Sequence, residues 1–416
     1  MERSLSCPRW KLLLVLGLAV AVPAAGCVPP TPATPMVRPT PTSTVTVMPT
    51  KATTMPAFTA TTSPTLQPTF AVNLAWLQER TIFYEASDRE AARPWIEIWR
   101  VNADGTEKRR LAHHELTPQE AQSDAPDGPL RHLTIFDLAL SPDKSKVAYA
   151  MGIQERGVSS PDQPALWLVN VDGSQHRQVA HFPDSYRRVL DGIQWSRDGT
   201  RLAFSLYHPS SYGMREICIL DVNKGTLERI EWAENVAWLP DDQRLSYIRW
   251  EWEEEKHSYR YHFCVLELAH QPWQPVCFPL ESYWFRDRFD WSPDGKWFAF
   301  SQEWDGVYVG SAVATELHRL LKDDNAYGPV QWSPDGCMIA YFTWSPQLNA
   351  FTLRVVDAQD GRTVTEVARV ALGVTWSSEG QALVVGGEDG NINVVFIPGG
   401  QSWKVPNAER ASLPTW

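Results

Sequence analysis

This 416-residue chain contains six cysteines, and their chemistry is the easiest to interpret from the sequence. A hairpin centred between His270 and Gln271 would place Cys264 opposite Cys277, and an oxidising compartment would allow a cross-strand disulfide between them. Cys218 occupies the position equivalent to Cys264 in its own sequence unit, and we expect it to be a buried apolar residue. The cysteines therefore predict one structural disulfide and fit an exported protein.

The other reactive residues form no motif for a metal or for catalysis. The sequence contains no C-x-x-C or H-x-x-x-H spacing, and His113 and His114, which we place on a surface loop, cannot surround a metal by themselves. The run Glu253-Glu254-Glu255 is typical of a solvated face. No G-x-S-x-G nucleophile motif occurs. We therefore predict no catalytic residue, no metal and no cofactor.

The first 26 residues have the pattern of an export signal. Arg3, Arg9 and Lys11 precede an apolar run, residues 12–22. This run is too short to span a hydrocarbon core, which needs about 20 residues. The pattern indicates export rather than a transmembrane helix.

The residues at the end of this signal resemble a bacterial lipobox, in which small residues precede a cysteine that receives a diacylglycerol. The segment is Ala24-Ala25-Gly26-Cys27, and Ala24 stands where the family usually has Leu. The resemblance implies lipid attachment at Cys27 and a membrane anchor. Ordinary secretion after cleavage beside small residues is the alternative.

Residues 27–70 are predicted to be the lipidated cysteine and a disordered tether. Positions 28–70 contain ten Pro and fourteen Thr, with Arg38 and Lys51 as the only charges. Such a segment has little apolar surface to bury and favours extended polyproline II backbone. As a stalk it would hold the rest of the chain away from a membrane.

The charge of the chain excludes one class of partner. The whole chain carries a net charge of −11 and residues 1–70 carry +4, so residues 71–416 carry −15. A domain that is this acidic repels phosphate backbones. We therefore expect no nucleic-acid binding.

From residue 71 onward the sequence repeats itself. Six segments share a pattern close to W-S-P-D-G, and each is followed by a short apolar strand. Pro fixes φ, Asp can accept hydrogen bonds from nearby backbone N–H groups, and Gly adopts the left-handed conformation that returns the chain into an antiparallel strand. Four strands in a unit of about 40–55 residues indicate propeller blades. The six segments begin at Leu140, Trp195, Trp238, Trp291, Trp332 and Trp376.

These units resemble the WD40-like (PD40) repeats of TolB-type β-propellers over residues 71–416. The resemblance implies an all-β propeller of four-stranded antiparallel blades. A further unit without the motif precedes the six, with residues 82–84, 96–99 and 110–112 as its later strands. We therefore favour seven blades, with six as the alternative.

Two sets of connections should emerge on opposite faces of such a propeller. Those between first and second strands and between third and fourth strands are short turns. The others, among them residues 206–215, 250–260, 281–289 and 344–350, are predicted to be long loops on one face, which we call the variable rim. Binding sites are usually built on such loops. The predicted rim residues are Tyr207, Tyr212, Trp250, Trp252, Tyr283, Trp284, Arg286 and Trp344.

The sequence thus predicts three parts: a lipoprotein signal peptide (1–26), a tether (27–70) and a propeller (71–416). We expect a non-catalytic binding or scaffolding head for a protein, peptide or glycan. We expect it on the outer side of the bacterial cytoplasmic membrane or at the cell surface. Two alternatives stay open. The rim aromatics could instead fill gaps between blades, and the chain could be a propeller hydrolase, either a glycosidase or a propeller associated with a peptidase.

Overall fold

The computed structural model describes residues 73–89, 91, 93–122, 131–155, 162–182, 188–207, 215–269, 273–280, 289–311 and 317–416. The predicted signal segment, Cys27 and the tether lie outside these residues. The described residues form 27 strands, numbered along the chain, and one helix, α1 (Leu74–Gln78). No helix in this described part is long and apolar enough to cross a membrane.

The strands form antiparallel four-stranded blades, and each blade runs outward from an innermost to an outermost strand. In that order, blade 1 consists of β27 (Ala411–Thr415), β1 (Thr81–Asp88), β2 (Trp95–Asn102) and β3 (Arg109–Glu115). Blade 2 consists of β4 (Arg131–Leu140), β5 (Lys146–Glu155), β6 (Asp162–Asn170) and β7 (Arg177–His181). Blade 3 consists of β8 (Arg188–Trp195), β9 (Arg201–Tyr207), β10 (Arg215–Asp221) and β11 (Leu227–Glu231).

The second half of the ring continues in the same order. Blade 4 consists of β12 (Ala233–Trp238), β13 (Arg244–Glu253), β14 (Ser258–Glu267) and β15 (Val276–Leu280). Blade 5 consists of β16 (Asp290–Trp291), β17 (Trp297–Gln302), β18 (Gly306–Ser311) and β19 (Leu317–Lys322). The last two blades share one seven-stranded sheet, made of β20 (Ala326–Trp332), β21 (Met338–Ser345), β22 (Ala350–Asp357), β23 (Thr363–Trp376), β24 (Ala382–Gly387), β25 (Ile392–Phe396) and β26 (Ser402–Lys404).

The long strand β23 belongs to both of these blades. Its residues 363–370 pair with β22, and its residues 370–376 pair with β24. The first part is therefore the outermost strand of blade 6, and the second part is the innermost strand of blade 7. Every innermost strand contacts the innermost strand of the next blade, and β27 pairs with β1. The described residues thus form a closed ring of seven blades, the number that the sequence favours.

Apolar side chains fill the seven interfaces between successive blades. Each of seven buried clusters in the described residues draws side chains from two neighbouring blades. Phe263 of blade 4, for example, stacks on Phe298 of blade 5 with ring centroids 4.3 Å apart. Burial of such faces is the main favourable term in folding, and a single blade has no other surface that could cover them.

The motif turns have the predicted chemistry. In the turn that begins at Ser196, the Ser196 hydroxyl donates to Asp198 Oδ1 over 2.6 Å, and Gly199 has a φ of +69°. Lys144 and Asp242 have a φ of +56° at the same turn position. The geometry therefore persists where the sequence has lost Gly, at the cost of strain for a residue with a side chain.

The motif tryptophans join neighbouring blades. The indole N–H of Trp195 donates to the carbonyl of Ala139 over 3.1 Å, and that of Trp238 donates to the carbonyl of Gln194 over 3.2 Å. In both cases the acceptor is the residue before the motif of the preceding blade. Each bond therefore ties one innermost strand to the next.

Blade 1 contains a tryptophan at the same position, which the sequence pattern did not reveal. Trp416 directly follows β27, is 7% exposed, and its indole N–H donates to the carbonyl of Thr375 over 3.0 Å. Thr375 precedes the motif residue Trp376 of blade 7. The blade that lacks the motif in its own stretch of sequence therefore receives its tryptophan from the far end of the chain.

Two connections that we predicted to be long loops are tight turns instead. Strand β13 runs to Glu253 and β14 begins at Ser258, while β21 runs to Ser345 and β22 begins at Ala350. The prediction of irregular loops over 250–260 and 344–350 is therefore wrong. Cross-strand aromatic pairs, such as Trp344 with Phe351 on β21 and β22, extend the ladders into these segments.

Candidate binding surface on blade 4

The structure describes only part of the predicted rim. Trp250 and Trp252 lie on β13, and Trp344 lies on β21. Tyr207 ends β9, and its side chain lies outside the described residues. The remaining predicted positions, Tyr212, Tyr283, Trp284 and Arg286, also lie outside them.

Trp344 is a packing residue rather than a surface platform. It is half-buried, and its ring lies 4.9 Å from that of Phe351 in an edge-on contact. Phe351 in turn packs against Tyr327 of β20 with ring centroids 5.2 Å apart. Trp344 therefore fills space within blade 6, in agreement with the alternative that rim aromatics are packing residues.

Among the described residues, the hairpin of β13 and β14 extends past the other two strands of blade 4. Strand β12 pairs with β13 as far as Arg249, and the described part of β15, which ends at Leu280, pairs with β14 as far as Tyr261. The two central strands continue to pair with each other up to Glu253 and Ser258. We call residues 250–261 the blade-4 ribbon, which lies on the variable rim because it connects the second and third strands.

One face of the ribbon is aromatic. Trp252 lies directly opposite Tyr259, with ring centroids 5.0 Å apart, and Trp250 lies 5.1 Å from the same tyrosine. Trp232, in the connection before β12, adds a fourth ring 5.7 Å from Trp250. Trp250 is 8% exposed, whereas Trp252 is 45% and Trp232 is 37% exposed. The four rings thus form a continuous cluster that is buried at Trp250 and open to solvent at its two ends, Trp232 and Trp252.

The opposite face and the tip of the ribbon carry charges. Glu253 forms ion pairs with Lys256, over 2.9 Å, and with Arg260. The hydrogen bond from Lys256 lowers the pKa of the Glu253 carboxyl. Glu254 and Glu255, both exposed, form no ion pair with any other described residue. With four glutamates, one lysine and one arginine, the ribbon has a net charge of −2.

A disulfide lies at the base of the ribbon. Cys264 and Cys277 are directly opposite each other on β14 and β15, with their Cα atoms 4.1 Å apart and their sulphurs bonded at 2.03 Å. Cys218 is buried and Cys337 is partly buried, and neither forms a disulfide with another described cysteine. Burial raises the pKa of the Cys218 thiol, which is consistent with an inert packing residue.

The central cavity of the propeller has a volume of about 580 Å³ and is lined by innermost strands. Asp137 and Asp290 lie at its wall. Asp137 accepts from the backbone N–H groups of Leu138 and Ile193, over 2.9 and 2.8 Å. Burial raises the pKa of Asp290 to about 6. Because Asp290 likewise accepts from two backbone N–H groups, one of them on the next blade, these acids tie adjacent blades together.

A polar aromatic cluster joins blades 1 and 2, and no pattern in the sequence indicates it. His114, predicted to lie on a loop, is on β3 and half-buried. The Tyr149 hydroxyl lies 2.7 Å from His114 Nε2 and 2.5 Å from His176 Nε2. Both imidazoles also contact the Trp167 ring, with centroids 4.7 and 5.1 Å away. The four residues come from separate strands and turns, so no local spacing connects them.

The described residues contain no group of three or more His, Cys, Asp or Glu side chains that could hold a metal ion. His113, which we considered as a metal ligand together with His114, bonds to Glu97 Oε1 over 3.0 Å. Its neighbour His114 bonds to Tyr149 instead. The two imidazoles therefore take different partners.

No family model matches the chain, and no curated protein matches it. The chain is similar in structure to the β-propeller domain of the Trilobed protease from Pyrococcus furiosus, with a TM-score of 0.51 and 10% identity over 79% of this chain and 95% of that one. That protease domain has an open velcro topology.

Two further solved structures are similar at lower scores. A putative 6-phosphogluconolactonase from Bacteroides fragilis has a TM-score of 0.49 and 11% identity over 80% of this chain and 97% of that one. TolB from Acinetobacter baumannii has a TM-score of 0.41 and 17% identity. The match covers 70% of this chain and 64% of the TolB chain. Together, the closed ring of blades and the protease propeller domain confirm the predicted β-propeller fold.

Proposed function

We propose that this protein is an exported lipoprotein whose propeller is a non-catalytic binding or scaffolding head for a protein, peptide or glycan. Cys27 carries the lipid, residues 28–70 form the tether, and the propeller lies on the outer side of the bacterial cytoplasmic membrane or at the cell surface. One observation supports the binding role above all. A connected aromatic cluster, open at Trp252, lies on a ribbon that projects from the variable rim.

The ribbon is better suited to binding than to packing. Single exposed apolar residues are common on protein surfaces and need no explanation. Here, however, exposed Trp252 extends a row of rings that begins at buried Trp250, so its position is fixed by contacts on one side and free on the other. Tryptophan offers a large rigid surface that loses little conformational entropy on binding.

We do not propose catalysis at the central cavity. Both carboxylates at its wall, Asp137 and Asp290, accept hydrogen bonds from backbone N–H groups of two blades. These bonds are part of the joints between blades, and this structural role accounts for both carboxylates without a catalytic one.

The binding role can be tested with variants of two exposed tryptophans. The full-length protein is immobilised and screened with synthetic peptides and oligosaccharides. We expect Trp252→Ala to weaken any ligand found by about tenfold, because a central aromatic anchor contributes on the order of 1–2 kcal/mol. Trp304→Ala is the matched control, since Trp304 is 54% exposed on the equivalent turn of blade 5. Equal binding by both variants, or no binding from the panel, would contradict the proposal.

The anchor has its own test. Cys27→Ser removes the thiol that would be acylated, so the protein should move from the membrane fraction to the soluble extracytoplasmic fraction. Labelling with a radioactive fatty acid should mark the wild type and not the variant. If both proteins fractionate with the membrane, or if the wild type takes up no label, lipidation at Cys27 is wrong and ordinary secretion becomes the better explanation.

A further inference from the structure

We propose that the blade-4 ribbon binds an extended segment of a partner protein that carries lysine or arginine side chains. This inference rests on the proposed function, because it specifies the ligand class of the same surface. It chooses a cationic peptide over a glycan, and three properties of the ribbon support that choice.

The first property is the exposed indole itself. Lysine and arginine side chains are attracted to the face of a tryptophan ring, and the attraction is stronger where the site excludes water. This chain already makes such contacts internally. Arg80 lies 4.5 Å from the ring centroid of Trp76, and Arg201 lies 4.8 Å from that of Trp238. Trp252 forms no such cation contact with any other described residue, although it is 45% exposed.

The second property is the charge next to that ring. Glu254 and Glu255 form the turn that follows Trp252 along the ribbon, and Glu251 precedes Trp252 on the opposite face of β13. All three are exposed and form no ion pair with other described residues, whereas Glu253 is already paired with Lys256 and Arg260. The ribbon therefore offers unpaired carboxylates at the turn that follows an open indole, and these attract a cationic side chain through its charge, which a neutral sugar lacks.

The third property is the charge of the whole domain. Residues 71–416 carry a net charge of −15. A field of this sign accelerates the approach of a cationic segment and opposes that of an acidic one.

The arrangement of the ribbon adds a geometric preference. In an extended peptide, alternate side chains point to the same face, so a lysine at every second position could contact the aromatic face together.

The experiment uses the full-length protein and two labelled synthetic peptides, measured by fluorescence anisotropy. One peptide alternates threonine with lysine, and the other alternates threonine with glutamate. We expect the lysine peptide to bind and the glutamate peptide not to bind. Trp252→Ala should weaken binding of the lysine peptide by about tenfold, and Trp304→Ala should leave it unchanged.

A second variant separates the charges from the ring. Replacing Glu254→Gln and Glu255→Gln together should weaken binding and should also reduce its dependence on salt, measured between about 0.05 M and about 0.5 M NaCl. Both residues are exposed at a turn, so the substitutions should leave the fold intact. Thermal unfolding of each variant checks this.

The other outcomes overturn the inference in distinguishable ways. If chito- or cello-oligosaccharides bind through Trp252 and the lysine peptide does not, the ligand class is wrong while the proposed binding function stands. If the lysine peptide binds equally to the wild type and to Trp252→Ala, its attraction is to the acidic domain in general and not to the ribbon. If neither the peptides nor the oligosaccharides bind, both this inference and the binding role of the ribbon are wrong.

Discussion

Acidification should weaken the junction between blades 1 and 2 through His114. Burial, together with the charges of His176 and His113, lowers the pKa of His114 from 6.5 to about 4. The unfolded chain keeps the ordinary value, so below pH 6.5 it binds a proton that the folded protein refuses. The stability contributed by neutral His114 is therefore complete above pH 6.5 and is lost as the pH falls from 6.5 towards 4.

The size of this effect follows from the two pKa values. A separation from 6.5 to about 4 corresponds to about 3 kcal/mol once both states are protonated, and to about 2 kcal/mol at pH 5. Burial lowers the pKa of His176 as well, so its contribution has the same sign. Asp290 acts in the opposite direction, because its pKa is raised to about 6 and the folded protein gains stability as that carboxyl takes a proton.

A comparison of two proteins isolates the histidine from the aspartate. Urea unfolding of the wild type and of His114→Gln is followed by circular dichroism at pH 7.5 and at pH 5. Glutamine keeps a polar group near the Tyr149 hydroxyl but does not titrate, and Asp290 is present in both proteins. The wild type should lose about 2 kcal/mol more than the variant between the two pH values, whatever the baseline cost of the substitution.

The expected pH dependence assumes that the groups around His114 keep its imidazole neutral. Tyr149, with one hydroxyl proton, must donate to one imidazole and accept from the other, and Trp167 covers both rings. Glu115, on the same strand, lines the adjoining cavity and is exposed. Equal pH dependence in the two proteins would show that His114 is solvated or paired with a carboxylate in solution, and the reasoning from burial would be refuted.

Two further predictions concern the closure of the ring and the disulfide. Trp416→Phe should destabilise the protein by about 1–3 kcal/mol, since it removes packing and a hydrogen bond to blade 7. Trp332→Phe, at the equivalent position of blade 6, should cost less, because the indole N–H of Trp332 has no acceptor among the described residues. Thermal unfolding compares the two, and an equal loss would contradict the role of the bond. Replacing Cys264 and Cys277 by serine opens a loop with a sequence separation of 13 and should lower the unfolding free energy by about 3 kcal/mol. A urea titration that shows no change would contradict it.

The sequence was sufficient to predict those parts of the structure that depend on residues close together in the chain. The turns at Ser196 and Ser292 follow from a few turn-forming residues within five positions, and their hydrogen bonds have the expected form. The sequence was insufficient to predict contacts between residues that are far apart in the chain. Trp416 completes a blade whose other strands begin at Thr81, and nothing near Thr81 indicates this.

The candidate surface was predicted in part for the same reason. Composition alone drew attention to Trp250 and Trp252, but their segment was predicted to be a loop. Their alternation with Glu251 and Glu253 is the period-two pattern of a strand, and this signal could have identified the ribbon. The His114 cluster has no such signal, because its members are brought together only by the packing of blade 1 against blade 2.

The disulfide between β14 and β15 stabilises the base of the ribbon. A two-stranded hairpin is marginally stable in water by itself, and the ribbon extends beyond the described parts of both neighbouring strands of blade 4. The bond between Cys264 and Cys277 ties β14 to the outermost strand close to Tyr261, where the ribbon leaves the blade. Fixing the base in this way reduces the conformational entropy that the ribbon would lose on binding. Because such bonds occur mainly in proteins of oxidising compartments, the disulfide that fixes the base of the proposed binding surface also fits the proposed location outside the cytoplasm.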